Sequence, residues 1–201
     1  VGTADGRVLK VDPATGTLDP QWNFLNGRAV GTIYGTPALG DGTLYGAGYT
    51  CRGQNCMGTV FAVDAITGSA KWSFPLETEI VASVVLAGEL LLVGTAGIGD
   101  EDDSADGYLY ALSIGGEGNA LDLVKWRVPV GGKVWGAPAV ADGVAYFGSM
   151  DGILHAVSLA DESRFTGDPG QRELWQFRSD SAFASTPLVD GKRIYVGDFG
   201  S

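Results

Sequence analysis

An all-β fold built from repeated four-stranded antiparallel units is what this sequence predicts, and three observations carry it. Tryptophan recurs near the end of strand-like runs at Trp22, Trp72, Trp126 and Trp175, at intervals of 50, 54 and 49 residues. A second marker keeps phase with it: Thr36-Pro37-Ala38-Leu39, Ala82-Ser83-Val84-Val85, Ala137-Pro138-Ala139-Val140 and Thr186-Pro187-Leu188-Val189. Within these segments Ala38, Val85, Ala139 and Leu188 stand 47, 54 and 49 residues apart. Glycine makes up 32 of the 201 residues, roughly twice the usual share, and most of it separates strand-like runs where tight turns need it. A period near 50 with several short apolar strands per repeat is the signature of a β-propeller blade.

The clearest repeat spans 133–180. Val134-Trp135-Gly136-Ala137-Pro138-Ala139-Val140 reads as a first strand, and Asp142-Gly143 as a hairpin turn. Residues 144–148 form a second strand, Asp151-Gly152 turns again, and 153–157 form a third. A longer loop leads to the fourth strand at 173–177. The repeat at 32–79 follows the same order, with strands expected at 34–39, 44–48, 59–63 and 70–74, and 80–132 is the repeat between them. Residues 1–31 supply only an outer half, with strands expected at 7–11 and 21–24. Residues 181–201 supply only an inner half, at 184–189 and 194–197. Val1-Gly2 aligns with Val196-Gly197, so the chain spans about four periods.

Charge narrows the partners. Acidic residues outnumber basic ones 24 to 13, for a net charge of −11. Such a chain lacks the basic stripe of a nucleic-acid groove and does not suit an anionic lipid surface. No stretch approaches the ~20 apolar residues of a membrane span, and no signal-peptide pattern is visible. Any membrane tether is expected outside these residues.

Ala62-Val63-Asp64-Ala65-Ile66-Thr67-Gly68-Ser69-Ala70-Lys71-Trp72 fits the pattern A-x-D-x-x-T-G-x-x-x-W, and Asp12-Pro13-Ala14-Thr15-Gly16 with Trp22 is a looser copy. Around Ala111 and Ala156 the alanine and tryptophan persist, while longer loops replace the turn. This pattern resembles the tryptophan-docking repeat of pyrroloquinoline-quinone-type (PQQ-like) β-propellers, and the resemblance extends over essentially the whole chain. It implies that Trp22, Trp72, Trp126 and Trp175 pack between blades. A flat apolar ring whose one N–H needs one partner suits such a gap. Relatives close with seven or eight blades, so the resemblance favours part of a larger ring over a closed four-bladed one.

Candidate sites are few. Cys51 and Cys56 flank a hairpin tip, where facing cysteines meet disulfide geometry. No zinc set or haem motif includes them, so a loop-stapling disulfide is expected, which implies an oxidising, extracytoplasmic setting. Two free thiols in a cytosolic protein are the alternative. In the acidic loop 99–107, Asp100, Asp102 and Asp106 mimic the start of a calcium loop, but Ser113 stands where the twelfth-position acid belongs. A solvated loop tip is the plainer reading, with calcium as the alternative. His155, the sole histidine, occupies the slot held by Phe61 and Tyr110 in other repeats and reads as a packed residue without catalytic partners. Among residues opening the first strands, Ile33, Ile80, Val134 and Phe183 are apolar in one register. In the next, Tyr34, Val81, Trp135 and Ala184 vary. Strands alternate faces, so a central channel is one expected place for this second set, with Tyr34 and Trp135 as stacking candidates for a cofactor or ligand; packed core is the plainer reading of both.

Two functions follow. The first is a non-catalytic propeller that binds protein partners or organises an assembly outside the cytoplasm, with no cofactor. Its contact loops are expected at 52–55 and 100–106. The second, implied only by the resemblance, is a portion of a PQQ-dependent alcohol or sugar dehydrogenase. Such enzymes hold the quinone between a tryptophan and a disulfide of adjacent cysteines, with calcium and a catalytic aspartate beneath. Here the cysteines are five positions apart.

Overall fold

The computed structural model describes residues 1–53, 55–76, 78–97, 107–115, 123–160 and 169–200. Three four-stranded antiparallel sheets and one two-stranded sheet follow one another along the chain. The first contains β1 (Ala38–Gly40), β2 (Thr43–Arg52), β3 (Asn55–Asp64) and β4 (Ala70–Leu76). The second contains β5 (Val85–Ala87), β6 (Leu90–Gly94), β7 (Gly107–Ser113) and β8 (Val124–Val130). The third contains β9 (Ala139–Ala141), β10 (Val144–Gly148), β11 (Ile153–Ser158) and β12 (Glu173–Arg178). A hairpin of β13 (Leu188–Asp190) and β14 (Arg193–Tyr195) completes the series. Within each sheet the strands lie in sequence order, so every connection is a local hairpin.

Turn chemistry sets the first hairpin of the first and third sheets. Asp41-Gly42 and Asp142-Gly143 both carry positive φ at two successive residues (47° and 68°; 49° and 75°). That is the backbone of a tight two-residue turn whose twist matches the strands it joins, and Asp-Gly tolerates it well. The tryptophan phase has an equally local cause. Trp72, Trp126 and Trp175 lie opposite Ala62, Ala111 and Ala156, and in each sheet the register slips by one residue just beyond that alanine. A small residue opposite a large ring, next to a bulge, turns the outer strand at the same place each time.

The sheets pack face to face. Their third strands are covered on both sides: Val60, Phe61, Ala62, Val63, Leu109, Ala111 and Leu112 are fully buried. One core cluster joins the first sheet to the second through Val60, Phe74, Ile80, Leu91 and Tyr110. Another joins the second to the third through Leu92, Trp126, Val134 and Phe147. Glycine makes the close approach possible at the ends of β6 and β10. A Cβ on Gly94 would lie 2.5 Å from Val134, and one on Gly148 would lie 2.3 Å from Phe183. Ile80, Val134 and Phe183, at 1%, 0% and 2% exposure, are thus the wedges between successive repeats.

Two expectations need correction. The first strands are three residues long and start at Ala38 and Ala139 instead of at 34 and 134. The residues before them bond to the neighbouring repeat. The Thr36 N–H donates to Ser83 Oγ (2.8 Å) and the Ala137 N–H to Thr186 Oγ1 (3.1 Å). Pro37 and Pro138 have no N–H to offer a ladder. The outer strands expected at 7–11 and 21–24 also do not form. That segment holds isolated bridges, Gly2 with Val8 and Val11 with Leu18, and a 3-10 turn at Phe24–Gly27.

Candidate functional site

The tryptophans and the turns that hold them are built first. The Asp64 carboxylate accepts the N–H groups of Ile66 (3.0 Å) and Thr67 (2.8 Å) and the Thr67 hydroxyl (2.9 Å). Asp12 accepts the N–H groups of Ala14 and Thr15 in the same way, at 2.8 and 2.9 Å. These donors hold both carboxyls below the usual carboxylate range, with the Thr67 and Thr15 N–H groups as the largest causes. Trp22 donates its indole N–H to the Val8 carbonyl at 2.7 Å. Trp126 is 9% exposed beneath the Arg172 guanidinium, which lies 4.6 Å from its ring centre. Trp72 is half-buried beside Tyr45, and Trp175 is 41% exposed.

The two stacking candidates stand apart in their surroundings. Tyr34 is 67% exposed and lies parallel to Tyr49, ring centres 6.1 Å apart. Trp135 is 39% exposed. Burial first, then its hydrogen bond to the Glu79 carboxylate, pushes the Tyr49 pKa up to about 12. Tyr49 in the unfolded chain ionises near 10. Its contribution to stability is therefore present below about pH 10 and lost as pH rises towards 12. Ultraviolet titration should show Tyr49 ionising only as pH approaches about 12, and Glu79→Gln should bring that ionisation earlier. No phenol ionisation approaching pH 12, or one that Glu79→Gln leaves unmoved, would refute this arrangement.

Sequence reading gave His155 no partners, and the structure supplies them. The ring is 2% exposed and stacks on Phe147 at 4.9 Å. Its Nδ1 lies 2.6 Å from Glu173 Oε1 and its Nε2 lies 3.0 Å from Ser149 Oγ. Serine, histidine and carboxylate in that order have the connectivity of a nucleophilic triad. Ser149 is fully buried, and its hydroxyl already bonds to the Asp151 carboxylate and the Ile153 carbonyl. The set ties β10, β11 and β12 together. It was invisible in the sequence because Glu173 is 18 residues away, on a different strand.

Cys51 and Cys56 face one another across the β2–β3 hairpin and are bonded as a disulfide. It accounts for both cysteines. Unreduced protein should weigh about two hydrogens less than the reduced chain, the two lost thiol protons. The Cys51→Ser, Cys56→Ser double variant should lose at most about 2 kcal/mol, since the loop closed is short. Two alkylatable thiols in native protein would contradict the bond. Asp100, Asp102 and Asp106 lie outside the described residues. Among the described ones no group of three or more His, Cys, Asp or Glu side chains is arranged to hold a metal, and no helix is long and apolar enough to cross a membrane.

Residues 4–121 match the family profile described as "Outer membrane protein assembly factor BamB". A search of curated proteins finds no match. Among solved structures, one described as "Crystal structure of the computationally designed Ika4 protein" superposes with a TM-score of 0.53 at 10% identity, covering 84% of this chain and 86% of that chain. At that identity the likeness concerns fold alone. The repeated D-x-x-T-G turns, the alanine-paired tryptophans and the profile match over more than half the chain agree: this is a PQQ-like repeat protein of the outer membrane protein assembly factor BamB family.

Proposed function

We propose that the chain is a non-catalytic β-propeller scaffold that binds protein partners outside the cytoplasm, with blades at 32–79, 80–132 and 133–180 and half-blades at 1–31 and 181–201. The observation that carries this reading is the match of residues 4–121 to a family described as an assembly factor. The Cys51–Cys56 disulfide supports an oxidising compartment. The buried, pre-engaged Ser149 and the absence of an adjacent-cysteine platform among the described residues both weigh against chemistry at those places. Tyr34 and Trp135, exposed and aromatic in the same register of two repeats, are the proposed contact residues, since aromatic rings dominate protein interfaces. Neither a quinone nor calcium is part of this reading.

Two assays test it. Incubation with pyrroloquinoline quinone, calcium, alcohols or sugars and a dye acceptor should give no turnover above a blank. Substrate-dependent dye reduction lost on Trp135→Ala would replace the scaffold reading with the quinoprotein dehydrogenase. Separately, the immobilised chain should retain purified outer-membrane β-barrel proteins or their assembly components, and the Tyr34→Ala, Trp135→Ala double variant should retain at least tenfold less. Retention of none by the intact chain would remove the scaffold reading.

A further inference from the structure

One junction between repeats differs from the next in the side chains it displays. A recurrent backbone bond defines the equivalent places. The N–H groups of Tyr49, Ala96 and Met150 donate to the carbonyls of Thr32, Glu79 and Lys133 at 3.0, 2.8 and 2.9 Å. Two residues beyond each acceptor stand Tyr34, Val81 and Trp135. These bonds use backbone alone and leave the side chains free to vary. Where the first sheet meets the second, Tyr34 and Tyr49 of one repeat come together with Glu79 of the link that follows. At the next junction the same places hold Val81, Ala96 and Lys133, without an aromatic ring or an acid.

Packing fixes the three groups. Tyr49 lies opposite Gly58 in the β2–β3 ladder. Gly58 lies against the link itself: a Cβ there would come within 2.7 Å of the Thr78 carbonyl and 2.5 Å of Ile80. Glu79 stands between those two residues, and its carboxylate bonds to the Tyr49 hydroxyl. The link is pinned from its other side. The Glu79 N–H and the Thr78 hydroxyl both donate to the Gly97 carbonyl, at 3.3 and 2.9 Å. Tyr34 lies nearly parallel to Tyr49, the rings inclined by 26°. The arrangement is built before any ligand arrives, which lowers the entropy cost of binding.

The group that fits is a cation. Tyr34 is largely exposed, and Tyr49 and Glu79 are half-buried, so ring and carboxylate are both within reach of solvent. The ion pairs among the described residues join Asp5 with Arg7, Asp19 with Lys10 and Glu173 with His155, and none engages Glu79. An electron-rich ring beside a carboxylate attracts positive charge. A guanidinium suits it better than an ammonium, because a planar group stacks on the ring while its fork of donors meets the carboxylate. The chain makes each half of this contact elsewhere. Arg127 lies over the Tyr108 ring at 4.9 Å, and Arg7 gives two N–H groups to Asp5. The net charge of −11 attracts a basic partner from a distance.

Resting on the protein-binding reading above, we infer that Tyr34, Tyr49 and Glu79 form a receptor for an arginine side chain of a protein partner. Tyr34 stacks on the guanidinium, Glu79 pairs with it, and Tyr49 orients the carboxylate.

The probes are the capped peptide Gly-Gly-Arg-Gly-Gly and its analogues with lysine or with citrulline, the neutral isostere, at the centre. In an NMR titration of the whole chain, the arginine peptide should shift the Tyr34 and Tyr49 ring signals and the Glu79 side chain. The citrulline peptide should bind about tenfold more weakly, and the lysine peptide should fall between. Glu79→Gln and Tyr34→Leu should each weaken arginine binding about tenfold. Tyr34 lies outside the core, so its replacement keeps the fold, which circular dichroism checks. Equal binding of arginine and citrulline, shifts confined to other acidic residues, or undiminished binding by Tyr34→Leu would overturn the inference. The retention assay separates it from the reading on which it rests. Equal retention of barrel proteins or assembly components by the intact chain and by Glu79→Gln would overturn the arginine site and leave the scaffold. Arginine binding at Tyr34 and Glu79 by a chain that retains none of them would support the site and remove the scaffold.

Discussion

Replacing Trp126 by alanine should lower folding stability by about 3–5 kcal/mol, the range for removing a buried aromatic ring from a packed core. Trp126 is 9% exposed and packs with Leu92, Val128, Val134 and Phe147 between the second and third sheets. Its strand partner, Ala111, is fully buried and too small to fill the space left. Arg172, 2% exposed, loses the ring beneath it but keeps its bond to the Ala160 carbonyl at 2.7 Å. Urea unfolding followed by circular dichroism gives the number. Trp72→Ala, at a half-buried ring, should cost less on the same scale. A loss below about 1 kcal/mol for Trp126→Ala would mean that the ring is not an inter-sheet wedge.

His155→Ala should cost about 3 kcal/mol, part from the cavity and part from a carboxylate and a hydroxyl losing a buried partner. His155→Phe separates the two parts. Phenylalanine already fills the same slot at Phe61. Ser149 keeps its bonds to Asp151 and Ile153, and Glu173 keeps the Gln176 amide at 2.7 Å. The phenylalanine variant should therefore recover at least half of the loss. If it is no more stable than the alanine variant, hydrogen bonding and not packing holds the third sheet together. Thermal unfolding of the three proteins decides between these outcomes.

The repeat was legible in the sequence because its causes are local. An Asp-Gly pair accepts positive φ, an alanine faces a tryptophan at a fixed separation, and an aspartate caps its own Thr-Gly turn; none of these needs a distant partner. The second, third and fourth strands accordingly fell close to their expected places. The cysteines were legible for the same reason, standing five positions apart on one hairpin.

What only the tertiary structure decided depends on contacts between repeats. The first strands are short because backbone groups ahead of them bond to the next repeat, as Thr36 does to Ser83, 47 residues away. Residues 7–24 hold isolated bridges and a 3-10 turn in place of the two expected strands. His155 acquired Ser149 and Glu173 across three strands that only the packed sheet brings together. Tyr49 owes its displaced ionisation to burial and to Glu79, 30 residues on. Patterns within one hairpin are written by propensity and spacing. Partners across hairpins are selected by the packing of one sheet on the next, which no single stretch of the chain records.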